Sequence, residues 1–398
     1  MHVCQMDTSL QRVQDMLFYG HVYITCLFDV NQINSQNIMS FNREIPYNDL
    51  PLLPPKVEVE SKNILKKAIT ANKALAGMAS LCKQLPNESV LYNSLFLKEA
   101  KDSSAIENII TTNDDIYQSF TADQKITNQN TREVMFYLDA LWVGMDEMKN
   151  TGVLTERTFV HIVNTIRENT EGIRRNPGTR IANQSTGEIV YSPPEGRDVI
   201  SAKLKNIEEY INTDDGVDFL IKMSIMHYQF EAIHPFADGN GRTGRILNVL
   251  YLVNNGLVDH PMLFLSKYII DNKDDYYTKL RLVTENGEWE SWIIYMLEGI
   301  EETSNFTSRK INDIVRAMKD MKNIIRKEEP KMYSKDLLEV LFKQPYCKTK
   351  FLEEAGIAKR ETAAKYLNRL EELDILKSKK VGKEKLYVNK VFYEILKY

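Results

Sequence analysis

The chain has 398 residues, 43% of them hydrophobic and 27% charged, with a formal net charge of −4. That is the balance of a soluble globular protein long enough for two or three domains. Its four cysteines, Cys4, Cys26, Cys82 and Cys347, are scattered without CxxC spacing, which argues against a disulfide framework or a cysteine-based zinc site and makes reduced thiols in a cytoplasmic protein the expectation. The best apolar run, Val22 to Phe28, is far too short to span a bilayer, so no membrane partner is expected.

In chain order, the Val22 to Phe28 run has the length of a signal-peptide core, but only Arg12 precedes it as a fixed positive charge and no A-x-A-like site follows. Residues 1–38 are therefore expected to be a poorly ordered extension, or to lie upstream of a true start at Met39. The stretch Leu50 to Pro55, LPLLPP, is extended and marks the entry to the folded part. From Ser61 to Gln84 the spacing of Ile64, Leu65, Ala68, Leu75, Met78 and Leu81 predicts a helix. Helical patterns continue through Arg132 to Met148 and Glu156 to Arg167. Two short β-prone runs, at Arg180 to Asn183 and from Ile189 onward, flank Ser185-Thr186-Gly187-Glu188 and read as a hairpin. Phe219, Leu220, Met223, Met226 and Phe230 then recur at helical spacing, so a largely buried helix is predicted up to Ile233, with His227 as one of its residues.

Residues His234 to Arg245 read HPFADGNGRTGR. Proline disfavours α geometry at the residue before it, which ends the helix and sets His234 at the mouth of a turn. Asp238, Gly239, Asn240 and Gly241 continue the turn, and Ile246, Leu247, Leu250 and Val253 announce a second helix that ends near Asn255-Gly256. A glycine-flanked loop that opens onto a helix N-terminus offers unpaired N–H groups and the positive end of the helix dipole to an anion. Arg242 and Arg245, three apart, share one helix face from which both forks could converge on a polyphosphate. Asp238 could ligate one Mg²⁺, an ion that takes one or two carboxylates plus phosphate oxygens and keeps several waters. The absence of GxxxxGK(S/T) excludes an ordinary P-loop.

After Trp292 to Thr303 the composition changes, and a charged helical run from Arg309 to Lys327 leads to Pro330. Residues 331–398 hold 16 Lys and Arg against 10 Asp and Glu, while the preceding 330 hold 35 against 45. That asymmetry suggests a separate module with a possible anionic partner. Its pattern is helix at Asp336 to Phe342, helix at Thr349 to Ala355, a break at Gly356, helix at Lys359 to Leu373, then β-prone runs at Ile375-Leu376 and Lys385 to Val388 around Gly382. This order resembles a winged helix-turn-helix. Ala364, Leu367 and Leu370 are expected to face its core, leaving Lys359, Arg360, Thr362, Lys365 and Arg369 as candidates for a DNA-facing surface. Lys377, Lys379, Lys380, Lys383 and Lys385 on the wing would add phosphate contacts.

HPFADGNGRTGR resembles the signature of the Fic family, HPFx(D/E)GNGRxxR, at every fixed position. Members of that family typically transfer AMP from ATP to a hydroxyl side chain of a protein. The resemblance implies His234 as general base, Asp238 on Mg²⁺, Gly239, Asn240 and Gly241 around the α- and β-phosphates, and Arg242 and Arg245 on the distal phosphates. It adds Thr243 and Gly244 to the ATP-binding set, and Tyr277 of Asp275-Tyr276-Tyr277 as an aromatic near the base. A neutral imidazole near its unperturbed pKa could accept a hydroxyl proton at neutral pH. Within KEAKDSSAIENII, Lys98 to Ile110, the run Ser103-x-x-x-Glu107-Asn108 resembles the family's inhibitory pattern (S/T)xxxE(G/N). It implies that Glu107 pairs with Arg245 and so occupies the arginine meant for the γ-phosphate. The hairpin resembles the family's target-positioning flap, with Ile189, Val190 and Tyr191 presenting an edge to an extended target segment.

The expected fold is mainly α: a Fic-type helical core with a β-hairpin flap, plus a small C-terminal winged helix-turn-helix domain. The expected divisions are 1–38, an extension; 39–120, an N-terminal helical region with the inhibitory helix; 121–305, the catalytic core; 306–330, a helical linker; and 331–398, the winged helix. The expected function is a protein adenylyltransferase that uses ATP and Mg²⁺ on Ser, Thr or Tyr hydroxyls, with pyrophosphate released and Glu107 as its brake. The resemblance leaves room for self-modification and a homodimer. Two alternatives stand beside it: a Fic-type transferase of another nucleotide or phosphoryl group, and a DNA-binding regulator whose core senses nucleotide.

Overall fold

The computed structural model describes residues 41–83, 85, 89–121, 128–183, 186–382 and 384–397, the side chains of 89–94 excepted. The expected extension at 1–38, Ser185 of the hairpin turn and Lys383 of the wing lie outside the described residues. The fold is helical, with two small antiparallel sheets. Among the described residues no helix is long and apolar enough to cross a membrane.

Helix α1, Lys62–Cys82, begins at Ser61, whose hydroxyl accepts from the Ile64 amide, and buries Ile64, Ala68, Ala71, Leu75 and Met78 along one stripe. Helix α2, Ser89–Ile106, stops one residue before Glu107. Beyond it Asn108 turns left-handed at φ 63°, the Asn108 amide bonds Ala105 O, and the Ile109 amide bonds Ser104 O. That pair is a Schellman ending, and it explains why Gly or Asn follows the glutamate of the motif: few other residues enter the left-handed region cheaply. Helices α3, Asn113–Thr121, and α4, Gln129–Thr151, follow, α4 closing on left-handed Gly152. Helix α5, Glu156–Arg167, has the predicted bounds because Thr155 and Thr158 form a reciprocal capping box.

Strands β1, Ile181–Ala182, and β2, Ile189–Tyr191, pair antiparallel as the hairpin. Helix α6, Arg197–Asn212, leads to α7, Phe219–Ile233, and α8, Asn240–Asn254. Both α7 and α8 are buried on nearly every face, so this antiparallel pair is the centre of the core rather than a surface layer. Helices α9, Leu265–Asp271, and α10, Lys273–Asn286, close one side.

Helix α11, Trp289–Glu328, is 40 residues long and unbroken. It runs straight through the composition change near residue 305, where the sequence suggested a division between core and linker. The half nearest Trp289 packs along α1. The distal half carries Ile311, Ile314, Met318, Met321 and Ile325 as a buried stripe, which the C-terminal part covers.

That part comprises α12, Lys335–Lys343; β3, Tyr346–Cys347; α13, Thr349–Glu354; α14, Arg360–Glu372; β4, Leu376–Val381; β5, Glu384–Asn389; and α15, Lys390–Lys397. Its sheet has the order β3-β5-β4, all antiparallel. The predicted core register of α14 is corrected at one position. Ala363, Leu367 and Leu370 are buried, whereas Ala364 is only partly so, because the three-and-four spacing that fits Leu367 and Leu370 runs back to 363.

Candidate active site

The site is built where α7 ends and α8 begins. His234 caps α7 in a left-handed conformation, φ 47° and ψ 59°, and Pro235 and Phe236 turn the chain back. Asn240 staples that turn: its side-chain amide donates to Phe236 O at 2.8 Å, and the Phe236 amide donates to Asn240 Oδ1 at 2.9 Å. Gly239, at φ 83°, caps α8, a conformation that a side chain would strain. Helix α8 thus starts at Asn240, six residues before the predicted periodic run, and Gly241 to Arg245 lie on its opening turns. The first amides of α8 have no intrahelical acceptor and are open to an anion.

Arg245 is buried and held by the end of α2. Its Nε donates to Ser103 Oγ at 2.8 Å, and its Nη2 donates to Ser103 O and to Glu107 Oε1, each at 2.9 Å. Ser103 O is one of the carbonyls that a helix leaves without a partner in its last turn, so Arg245 caps α2 and pairs its carboxylate with one fork. Lys273 adds a second cap by donating to Ile106 O at 2.7 Å. A Cβ on Gly241 would collide with Glu107 Oε1 and lie 2.9 Å from Arg245 Nη1, so the glycine is what lets the carboxylate lie over the first turn of α8.

Arg242 takes a different direction, and the expected convergence of the two arginines is not seen. It is buried and lies 3.5 Å from Glu133 of α4 and 3.6 Å from Asp238, leaving its Nε without a partner. Asp238 stands at the mouth of the cradle with its side chain 65% exposed, also 3.6 Å from Arg167. Thr243 is fully buried with an unpartnered hydroxyl, and Gly244 faces Phe230, Glu231 and His227 across the α7–α8 contact. Both expected ATP-binding residues are thus buried in the helix packing.

The electrostatics correct one expectation. The His234 imidazole is not near its ordinary pKa: burial, then the charge of Arg174, push it down to about 4, against the opposing pull of Glu107 and Asp238. It is a neutral base at pH 7. His227 is likewise held neutral, down to about 3, by burial and by Arg245, and its Nε2 lies 2.9 Å from the Tyr276 hydroxyl. Glu231, one turn before His234 on α7, is pushed up to about 7 by burial, and its Oε1 is buried without a partner.

Three family descriptions match this chain: Fic/DOC family N-terminal over residues 65–146, Fic/DOC family over 153–252, and the C-terminal domain of protein adenylyltransferase SoFic-like over 317–392. The chain belongs to the Fic family. A protein of Aquifex aeolicus named a probable protein adenylyltransferase is 40% identical over 79 residues, 20% of this chain and 24% of that one. The protein adenylyltransferase fic-1 of Caenorhabditis briggsae is 26% identical over 146 residues, 36% of this chain and 26% of that one. The matches thus span about a quarter of the length of these relatives. A Fic family protein from Desulfovibrio desulfuricans has the same fold at a TM-score of 0.55 and 17% identity, covering 85% of this chain and 98% of that one. Fic-1 from Caenorhabditis elegans superposes at 0.50 and 18% identity, covering 65% and 75%.

The remaining expected Fic residues divide into those near the cradle and those spent elsewhere. Tyr277, 48% exposed, stands edge-on to buried Tyr276 with Lys273 over its ring, so it is the member of the pair open to a ligand. On the hairpin, Ile189 and Val190 are half-buried, whereas Tyr191 turns inward and donates its hydroxyl to Ala232 O at 2.8 Å. The chain before α1 lies beside β2: Phe41 stacks on Tyr191, and the Tyr47 amide donates to Ser192 O at 3.0 Å.

In the C-terminal part, several proposed DNA contacts are paired within the molecule. Arg369 holds Glu329 at 2.6 Å and Glu372 at 2.8 Å, Lys385 holds Glu371 at 3.1 Å, and Lys379 reaches Asp114 of α3 at 2.7 Å. Lys359, Arg360, Lys365, Lys377 and Lys380 are exposed. Sequence reasoning missed Glu133, Glu231 and Arg174. Only Glu231 left a signal, since it precedes His234 by three positions on a helix that aims at the site.

Proposed function

We propose that this protein transfers AMP from ATP to a hydroxyl side chain of a target protein, with pyrophosphate leaving, and that Glu107 restrains the reaction. The observation that carries this reading is the bond from Arg245 to Glu107 Oε1 at 2.9 Å, directly above the glycine cradle at the start of α8. An arginine on the cradle side of a helix N-terminus is the group a distal phosphate would take, and here it holds an internal carboxylate instead. The names of the relatives, protein adenylyltransferases, agree with the reading.

In that reaction His234 receives the proton of the attacking hydroxyl, for which a neutral imidazole is required. The amides around Gly239 to Gly241 stabilise the charge that grows on the phosphates as the bond to pyrophosphate breaks. Asp238 offers a single open carboxylate, and among the described residues no set of three His, Cys, Asp or Glu could hold a metal alone. That donor set fits Mg²⁺ held chiefly by phosphate oxygens and water, where the ion would neutralise phosphate charge. Tyr277 offers its ring to the base, and Ile189 and Val190 on the hairpin offer main-chain bonds to an extended target segment. The C-terminal part, with four helices and a β-hairpin wing, reads as a winged helix whose wing is turned toward α3.

The test is labelling with ATP carrying the label at the α- or the γ-phosphate. AMP transfer puts only the α-label on protein. A γ-label on protein would replace this reading with phosphoryl transfer. His234→Ala is expected to abolish transfer, and activity that survived it would remove His234 as the base.

A further inference from the structure

A helix leaves its last carbonyls without partners, and at the end of α7 four consecutive carbonyls find theirs on the hairpin side. Ala232 O accepts from the Tyr191 hydroxyl. Ile233 O and His234 O accept from the guanidinium of Arg174, at 3.4 Å from Nη2 and 2.8 Å from Nε, and Pro235 O accepts from the Arg174 amide at 3.0 Å. The same Nη2 also donates to Pro194 O, three residues beyond β2. Arg174 is 6% exposed. One buried side chain therefore ties the turn that carries His234 to the strand that leaves the hairpin.

The tie matters because His234 sits in the left-handed region, which a residue with a Cβ keeps only when its surroundings over-determine it. We propose that Arg174 is a positioning residue for the transfer: it locks the His234 turn and the hairpin in one relation, so that a hydroxyl presented by the hairpin arrives at the imidazole. This rests on the proposed role of His234. The charge of Arg174 acts in the same sense, since it disfavours the imidazolium, while Glu107 from the end of α2 and Asp238 from the cradle favour it and the Glu231 carbonyl faces the ring. The ATP site is built from α8, α10 and the end of α2, none of which Arg174 holds. A fault at Arg174 should therefore reach the proton transfer and spare the nucleotide.

The experiment uses the full chain carrying Glu107→Gly, with Arg174→Met to remove the fork while keeping its stem, and Arg174→Lys to restore one cation. With α-labelled ATP, Arg174→Met is expected to lower kcat about a hundredfold, the cost of an ångström-scale misplacement, while the KM for ATP and its equilibrium affinity change less than about threefold. Arg174→Lys should recover part of kcat. The proton resonance of His234, identified as the one missing in His234→Ala, should titrate at higher pH in Arg174→Met. Loss of ATP affinity in step with kcat, without recovery by lysine, would reduce Arg174 to an ordinary helix cap, and unchanged kcat and titration would remove it altogether. If Arg174→Met does not fold, Arg174→Lys decides, and full activity with an unmoved titration overturns the proposal. If the Glu107→Gly parent transfers no label, the reading of AMP transfer has failed, and a positioning role for Arg174 in that transfer fails with it.

Discussion

Glu107 can be changed in two steps that separate its charge from its bulk. Arg245 makes three bonds at the end of α2, of which two go to Ser103 and one to the Glu107 carboxylate. Only the last is lost in Glu107→Gly. A hydrogen bond to a charged group is worth about 1.5–3 kcal/mol, and the Glu107 side chain is 36% exposed, so solvent screening favours the lower end. At about 1.4 kcal/mol for each factor of ten, release of Arg245 should raise the fraction of ATP bound productively by about ten- to a hundredfold. The assay is the initial rate of self-labelling with α-labelled ATP. Glu107→Gly is expected to rise by that factor, and Glu107→Gln, which keeps the shape without the charge, by less. Equal rates in the parent and Glu107→Gly would refute the restraint. A glutamine variant as slow as the parent beside a fast glycine variant would move the cause from charge to the volume that lies over Gly241.

Glu99 provides a pH test. It is buried on α2, accepts from Ser266 and Tyr137, and burial pushes its carboxyl up to about 7 from an ordinary 4.5. A raised carboxyl is fully tolerated below pH 4.5 and costs stability as pH climbs through 7, by about 3 kcal/mol at most. Glu99→Gln should therefore gain stability relative to the parent between pH 5 and 8 in denaturant titrations, and a difference independent of pH would refute the burial argument. His227 and His234 act in the opposite sense, withdrawing stability as pH falls below 6.5, but they are common to both proteins and cancel. Asp114 accepts the hydroxyls of Tyr346 and Tyr393 and the ammonium of Lys379, at 2.9, 2.7 and 2.7 Å. Asp114→Ala should cost about 2–4 kcal/mol, since two tyrosines lose a charged acceptor, and should speed amide exchange in β3. Lys379→Ala should cost less than about 1 kcal/mol, as an exposed ion pair does. Equal losses would assign the docking to the ion pair.

The cradle was legible because its parts are local: a proline after His234, a glycine that must be left-handed and a helix start all fall within twelve residues. Glu107 was legible only beside that cradle, since nothing near Ser103 says where Arg245 lies. Arg174 left no mark, being separated by 60 positions from the carbonyl it holds, and an arginine in a loop has no period. The wing lysines looked free because a basic run reports charge and not neighbours; Lys379 is answered by Asp114, 265 positions away. The helix runs unbroken past the division expected near 305 for a simpler reason. A change of composition marks new packing partners, and a helix breaks only at residues that break it, of which none stands between Gly299 and Pro330.

That unbroken helix gives the molecule a spine of about 60 Å, with the catalytic body on one half and the C-terminal part on the other. Asp114 and the packing of α12 on α2 fasten the far end back to the catalytic body, so the C-terminal part is a beam supported at several points and not a pendant on a string. A cut at residue 305 would sever the beam in mid-span and part the half packed along α1 from the half that carries Ile311, Ile314 and Met318 with their cover. A load on the C-terminal part meets the stiff rod, the α12 contact with α2 or the Asp114 fastening, and the last two bear on the helices that flank Glu107.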